Sequence, residues 1–367
     1  MELSKSALAY HEKMFPGYQS KFKETDPEFI ERFDNFAFDE VVNQDDLDGR
    51  IRFMAILAAL LGCQGLDEFK VLAPAALNFG VTPIELKEIV YQAVAYLGVG
   101  RVFPFLKAAN TILEASGVKL PLDSQATTTM DNRLEGGIQA QVEIFGETMT
   151  EFWCSGSEEV RHINKWLTDN CFGDYYTRQG LNKQEREMLT FCFLAAQGGC
   201  ETQLTAHAAA NMRIGNDKAF LIKIVSQCLP YIGYPRVLNA IKCVEETDKE
   251  RRAENMLISE FSKKTGVSVD TLRYYEQIGL IPSVTRNSGG IRVYDSFIEA
   301  RVYLIKSLKS CGMSLDDMFT YIQLLEAGDQ TIEERQSVLG QVKGNLLQKI
   351  NEMQMMIHNL DLQLWQG

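Results

Sequence analysis

The chain is poor in the residues that hold metals. Among 367 residues there are four histidines and eight cysteines, and no two cysteines stand as a CxxC pair. Only His207 has a cysteine near it in the sequence, so a structural zinc site has little to be built from, and neither a metal nor a cofactor is expected. The cysteines (63, 154, 171, 192, 200, 228, 243 and 311) are irregularly spaced and sit mostly in apolar helical stretches such as LTFCFLAAQ. That pattern reads as reduced thiols, most of them buried, and excludes a disulfide framework. Long apolar runs are missing too. None approaches the ~18 residues of a membrane span, and the N-terminus MELSKSALAYHEKMF has no apolar stretch followed by a cleavage site. No membrane partner is expected, and a cytoplasmic location follows by default. Disorder throughout is excluded by an apolar content of 46%.

Positive charge is scarce overall but unevenly placed. The net charge is −12, and residues 1–250 hold 24 lysines and arginines against 35 acids, whereas residues 251–310 hold 10 against 6. A basic island in an acidic chain suggests that the island alone meets a polyanion.

The first 248 residues contain a repeat. An ungapped offset of 135 pairs Asp34-Asn35 with Asp169-Asn170, Gly80 with Gly215, Gln92 with Gln227 and Tyr96 with Tyr231, and it ends in the parallel strings YLGVGRV and YIGYPRV. Duplication explains such a run better than chance. Within each copy the apolar period is helical. RIRFMAILAALLG, EFKVLAPAALNFG and TPIELKEIVYQAVAYLG each end in a glycine suited to a left-handed cap. The third opens with Thr82 as N-cap, Pro83 at the first helical position and Glu85 at the third. This half is therefore expected to be all-α, with repeats at 1–115 and 116–248.

The charged stretch EETDKERRAEN (245–255) marks a boundary. Beyond it, ISEFSKKTGVSVDTLRYYEQIGLIP has the spacing of two short helices joined by a turn through Gly266. TRNSGGIRVY then offers a Gly-Gly hairpin, so the pair reads as a winged helix-turn-helix, over 256–325. From 331 to 364 apolar residues recur every seven, at Leu339, Leu346, Met353 and Leu360, with Ile350, Ile357 and Leu364 beside them. That is a coiled-coil seam, and pairing with a second chain is the expected use, making the protein a homo-oligomer through this helix and through the helical half. The chain as a whole reads as mainly all-α with one small β wing.

Residues 257–364 resemble the MerR family of transcription regulators through VSVDTLRYYEQIGLIP, the wing NSGGIRVY and the connector SLKSCGMSLDDM. YIQLLEAGDQTIEERQSVL looks closest to the family's aldehyde- and thiol-stress-responsive branch. The resemblance implies a dimer on a two-fold promoter site in double-stranded DNA. Ser268, Asp270 and Thr271 then fall toward base edges. Arg273, Tyr274 and the wing's Arg286 and Arg292 suit phosphates, with Tyr294 beside them. Tyr275 is as readily a core aromatic. Two positions depart from the pattern. Ile291 stands where the wing usually has tyrosine, and Ser307 stands where the stress-responsive branch tends to carry its sensing cysteine, with Cys311 one turn on.

The first 248 residues resemble the carboxymuconolactone decarboxylase family, including relatives similar to alkyl hydroperoxidase D, in tandem. KQEREMLTFCFLAAQGGCETQLTAHAAANMRIG carries that family's pattern at Glu187, Cys200 and His207. The resemblance implies helical proteins that assemble as trimers or hexamers, and chemistry ranging from lactone decarboxylation to thiol-based peroxide reduction. After Gly198 and Gly199 a helix starting at Cys200 would lower its thiol pKa, and positions 200, 203 and 207 would share one stripe. Cys200 and His207 are two turns, about 10 Å, apart, so the thiol and imidazole do not touch. Gln203 stands where hydroperoxidase relatives have a second cysteine, so their two-cysteine cycle is absent. In the first copy the offset places Arg52, Gly65 and Leu72 at the three positions, and aligning Cys63 with Cys200 instead gives Arg50, Cys63 and Lys70; neither register supplies a Glu or His, which leaves at most one site per chain.

Two readings remain. The first is a transcription regulator whose N-terminal half senses a small electrophile, peroxide or metabolite. The alternative is a lactone decarboxylase or thiol peroxidase acting on a small-molecule substrate and carrying an autoregulatory DNA-binding domain.

Overall fold

The periodic apolar stretches fold as helices whose ends follow their capping residues. A computed structural model describes residues 2–18, 20–254, 256–286, 291–327 and 331–364. They fall into two units, Met1–Lys249 and Glu250–Gly367, divided inside the charged stretch 245–255.

The first unit runs α1 (Lys5–Met14), α2 (Phe22–Thr25), α3 (Pro27–Asn35), a π-helical turn at Phe36–Glu40, α4 (Gly49–Cys63), α5 (Leu66–Asn78), α6 (Pro83–Leu97) and α7 (Val99–Ala115). It continues with α8 (Arg133–Phe145), α9 (Arg161–Trp166), a π-helical stretch at Leu167–Tyr176, α10 (Lys183–Gln197), α11 (Glu201–Arg213), α12 (Lys218–Ile232) and α13 (Tyr234–Glu254). Shifted by 135 residues, α5 and α6 land on α11 and α12 residue for residue, and α4 lands within one residue of α10. The expected capping box of α6 is present: Thr82 Oγ1 accepts from Glu85 N–H, and Glu85 Oε2 accepts from Thr82 N–H at 2.8 Å. Gly98 and Gly233 end equivalent helices at φ 78° and 79° with extended ψ, a conformation open essentially to glycine alone.

The two central helices, α4 and α10, are buried along most of their length. They meet at equivalent positions. Arg50 Nη2 donates to Glu185 Oε1 at 2.7 Å, and a Cβ on Gly62 would lie 2.6 Å from the carbonyl oxygen of Phe193 and 3.2 Å from the amide of Gln197. Contacts between residue i and residue i+135 at both ends place an approximate internal two-fold between these helices. They also correct one expectation. Gly62 does not close α4, which runs on to Cys63 and turns at Gln64 (φ 63°). The missing side chain at Gly62 lets the backbones approach.

Asp34 and Asp169 are equivalent and both buried, but their surroundings differ. Asp169 lies 3.6 Å from both Arg133 and Lys165. At Asp34 burial dominates and pushes the carboxyl up to about 6, with Lys23 opposing. A raised carboxyl pKa means that folding favours the protonated form, so this side chain's contribution is fully present below its ordinary pKa of about 4 and is lost as pH rises through 6. Asp34→Asn is expected to melt above wild type at pH 7–8, with the gap closing between pH 6 and 4. A constant gap across that window in thermal melts would exclude this assignment.

The second unit comprises β1 (Met256–Leu257), α14 (Ile258–Thr265), α15 (Val269–Gln277), β2 (Val293–Tyr294), α16 (Ser296–Ser310), α17 (Leu315–Glu326) and α18 (Ile332–Leu364). Gly266, at φ 67°, turns α14 into α15 as expected. The Gly-Gly tip of the hairpin lies outside the described residues, while its flanks pair at Arg286 and Arg292. β2 also pairs antiparallel with β1, Met256 opposite Tyr294, a strand not foreseen. Phe261, Leu272, Tyr275, Tyr294, Val302 and Ile305 form the core. The 33 residues of α18 span roughly 50 Å. Val338 and Val342 pack on the core of this unit, whereas Leu347, Ile350, Met353, Ile357, Leu360 and Leu364 are exposed. Among the described residues no helix is long and apolar enough to cross a membrane.

Candidate ligand site and nucleic-acid interface

α10 and α11 bring Glu187 and His207 together. Glu187 Oε2 and His207 Nδ1 are 2.8 Å apart, with the carboxylate fully buried and the imidazole nearly so. Asn211, one turn after His207, donates to the backbone carbonyls of both residues at 3.0 and 2.8 Å, tying the two helices at this point. The imidazole sits between two aromatic rings, Tyr96 at 5.5 Å and Phe145 at 5.4 Å, both edge-on. Glu187 is therefore buried, although it lies within the charged stretch KQERE. Its second oxygen, Oε1, is buried with no hydrogen-bond partner, an acceptor left open. A carboxylate so placed can fix the imidazole tautomer and exchange a proton with Nδ1.

Around this pair runs a polar network that sequence spacing did not reveal. Tyr96, from the first repeat, shares a 2.8 Å hydrogen bond with the Tyr176 hydroxyl, which in turn bonds Thr190 at 2.7 Å. Gln92 donates to Thr190 and to the Arg186 carbonyl, and accepts from the Arg186 guanidinium. Burial, reinforced by the nearby Glu187 charge, holds the Tyr96 and Tyr176 hydroxyls well above their ordinary range. Burial also pushes the Cys171 thiol up to about 12, so it is an inert neighbour. No three His, Cys, Asp or Glu side chains converge as a metal site would need among the described residues.

Cys200 is placed differently from the expectation. It is the N-cap of α11, not its first residue, and its sulfur donates to the Leu194 carbonyl at 3.5 Å and accepts from the Gln197 amide at 3.8 Å. Burial pushes its thiol up, outweighing the Gln197 contact. The expected helix-end activation does not prevail, because the sulfur folds back toward α10 and away from the helix axis. Position 203 is not on the stripe either: Gln203 is exposed, and the buried face of α11 is carried by Leu204, His207, Ala208 and Asn211. In the first repeat Arg52 takes the place of Glu187. It is buried, and its two terminal nitrogens donate to Tyr10 Oη and to the carbonyls of Val42 and Leu47, while Leu72 replaces the histidine.

In the second unit Ser268 is the N-cap of α15. Its hydroxyl accepts from Thr271 N–H at 3.1 Å and lies 2.7 Å from Thr271 Oγ1, so it is engaged in starting the helix. Asp270 is almost fully exposed and lies 3.7 Å from Arg273. Arg273 and Tyr274 face outward, while Leu272 and Tyr275 anchor the helix in the core. Arg286 is exposed; Arg292 is half-buried and paired with Glu276 at 2.6 Å. Tyr294 overturns its expectation. The ring is fully buried and stacked on Phe261 at 4.5 Å, and its hydroxyl has no partner. β2 alternates its side chains, and pairing with β1 turns this one inward. Removing an unpartnered buried hydroxyl costs nothing in hydrogen bonding, so Tyr294→Phe is expected to hold or gain up to about 1 kcal/mol in urea unfolding. It should leave affinity for DNA unchanged; a loss of DNA affinity in a folded variant would return the residue to the interface.

The comparisons with known proteins divide along the same lines. Residues 257–294 match the MerR family regulatory protein description, and residues 27–111 and 162–246 each match the carboxymuconolactone decarboxylase family. The HTH-type transcriptional regulator AdhR of Bacillus subtilis is 37% identical over 25% of this chain and 66% of its own length. The mercuric resistance operon regulatory protein of Serratia marcescens is 37% identical over 28% of this chain and 67% of its own. The chain belongs to the MerR family. It is a MerR-family transcriptional regulator carrying two carboxymuconolactone decarboxylase domains ahead of the regulator domain. A solved structure, HiNmlR, a MerR family regulator lacking the sensor domain and bound to promoter DNA, is 32% identical over 28% of this chain and 79% of its own, with a TM-score of 0.27. The two decarboxylase matches are separated by the same 135 residues as the internal repeat. In this MerR-family chain the outward residues of α15 are Asp270, Arg273, Tyr274 and Gln277, and the buried acid–histidine pair belongs to the second decarboxylase domain.

Proposed function

We propose that this regulator binds a two-fold promoter site as a dimer, and that its second decarboxylase domain recognises a small electrophile, peroxide or metabolite through the Glu187–His207 pair. The observation that carries the ligand half of the reading is the open Oε1 acceptor of Glu187, buried beside an imidazole clamped by two rings. A donor group on a ligand would satisfy it, and leaving such a group unsatisfied is costly. The raised thiol of Cys200 and the exposed Gln203 favour recognition over turnover by a thiol cycle. On the DNA side, Arg273, Tyr274 and Arg286 supply phosphate contacts and Asp270 and Thr271 lie toward base edges, with Ser268 setting the helix start. Regulation requires that the ligand favour one DNA-bound arrangement over another.

The test is promoter-DNA binding by wild type, Glu187→Gln and Cys200→Ser while peroxide and aldehydes are titrated, with the thiol state read by mass spectrometry. The expected result is a shift in DNA affinity that Glu187→Gln abolishes and Cys200→Ser retains. DNA binding without sequence preference, or without response to any such compound, would overturn the proposal. The acid–histidine geometry also suits general acid–base chemistry. Turnover of a lactone that persists after deletion of residues 251–367 and vanishes in His207→Ala would favour an enzyme instead.

A further inference from the structure

A pocket lies on the first unit, lined by residues other than Glu187, Cys200 and His207. It is a cavity of about 260 Å³ between α6, the segment 122–125 that joins the repeats, and Arg178. The joining segment is held in place where the Gln179 N–H donates to the Gln125 carbonyl at 2.8 Å and Thr127 Oγ1 donates to the Thr177 carbonyl at 2.7 Å.

The charge around this cavity does not balance. Glu88, fully buried, receives three hydrogen bonds from Arg178 and one from Arg186. Lys87, only 8% exposed, adds a third cation, and its ammonium has a single hydrogen bond, to the amide oxygen of Asn110 at 2.6 Å. Among the described residues no carboxylate lies within ion-pair distance of it. Lys87 and Arg178 both lie against the Tyr91 ring, at 5.1 and 5.3 Å. Asp123 lines the rim but is exposed, so three buried or half-buried cations face one buried acid. Arg178 donates to Glu88 through Nε and Nη2, and among the described residues Nη1 has no partner and Lys87 has two N–H groups to spare. A buried ammonium without a counter-ion is costly, and here it lines an opening. Ile84 and Leu122 supply apolar walls.

We infer that this pocket binds a small organic acid, its carboxylate received by Lys87 Nζ and Arg178 Nη1 and its short apolar body by Ile84 and Leu122. The volume, just below the usual range of ligand sites, restricts the ligand to one ring or a short chain. The site draws on both repeats and on the segment between them. It does not depend on the DNA-binding or Glu187 readings.

Calorimetric titration of the full chain with benzoate, with neutral benzamide and with inorganic phosphate tests it. Saturable benzoate binding is expected, at least 10-fold tighter than benzamide, weakened at least 10-fold by Lys87→Met and unaffected by the surface control Lys70→Met. Lys87→Met should also melt at or above the wild-type temperature, since it removes an uncompensated charge while keeping the stem. Leu122→Trp, which fills the cavity from its wall, should block benzoate without touching a charge. Absence of saturable benzoate binding overturns the inference, as do benzamide binding of equal strength, phosphate binding alone, or benzoate binding indifferent to both Lys87→Met and Leu122→Trp.

Discussion

Glu88→Gln is expected to destabilise the first unit by about 3–5 kcal/mol, the usual cost of removing one partner from a buried ion pair. The amide keeps the shape and loses the charge that Arg178 and Arg186 share. Arg186 is wholly enclosed, and burial lowers its pKa even against the Glu88 charge. Its other acceptors are the Arg178 and Gln179 carbonyls and Gln92, which take hydrogen bonds from its terminal nitrogens but do not neutralise the charge. Because Arg186 precedes Glu187 in α10 and its carbonyl is held by Gln92, the loss should reach the acid–histidine pair as well. Urea unfolding of the full chain followed by near-ultraviolet absorption of the first unit's aromatics would measure it. Replacing Glu88, Arg178 and Arg186 together by methionine should recover most of the loss, as apolar substitution of whole buried ion clusters does elsewhere. A Glu88→Gln change within 1 kcal/mol of wild type would mean that the two guanidiniums are already screened by water.

The second large effect concerns α18. Met353→Asp combined with Leu360→Asp is expected to leave both units folded, because these side chains are exposed in the single chain, yet to weaken binding to a two-fold promoter site by about 10²–10⁴. That is the range by which linking two binding modules raises avidity over either alone. Charged residues one heptad apart on a seam cannot be buried against a partner helix without several kcal/mol of desolvation. Sedimentation should show loss of the pairing made by α18, while affinity for an isolated half-site stays within a few-fold. If DNA affinity for the full site is unchanged, α18 is not the dimerisation element.

Much of the fold was legible because its signals are periodic. The cap at Thr82 and the turn at Gly266 depend on a few adjacent residues and lie where local chemistry puts them, and the 135-residue offset shows in paired residues along both repeats, whereas Ser268, read toward base edges, caps α15. The site was legible in part: Glu187 and His207 stand out by residue type and by family pattern, and they meet. What escaped depended on the third dimension. Tyr96 and Tyr176 come from helices 80 residues apart and carry no spacing signature. Gly62 looked like a helix stop because a glycine after an apolar run so often is one, and only the closeness of α10 gives it another use. Cys200 and Tyr294 were read from their neighbours in sequence, but their environments are set by Leu194, Gln197 and Phe261 through folding. Arg292 was read as free for phosphate, and Glu276 sixteen residues earlier takes it.

The meeting of Arg50 with Glu185 bears on the history of the chain. A residue lying on the axis of a true homodimer faces its own copy, so an arginine there would meet an arginine and a glutamate a glutamate. Opposite charges at equivalent positions could be established only once the halves were encoded separately and could mutate independently. The same freedom let one half keep an acid and a histidine while the other set an arginine and a leucine in their places. The fused chain thus carries the acid–histidine pair in its second half, opposite an arginine and a leucine in its first.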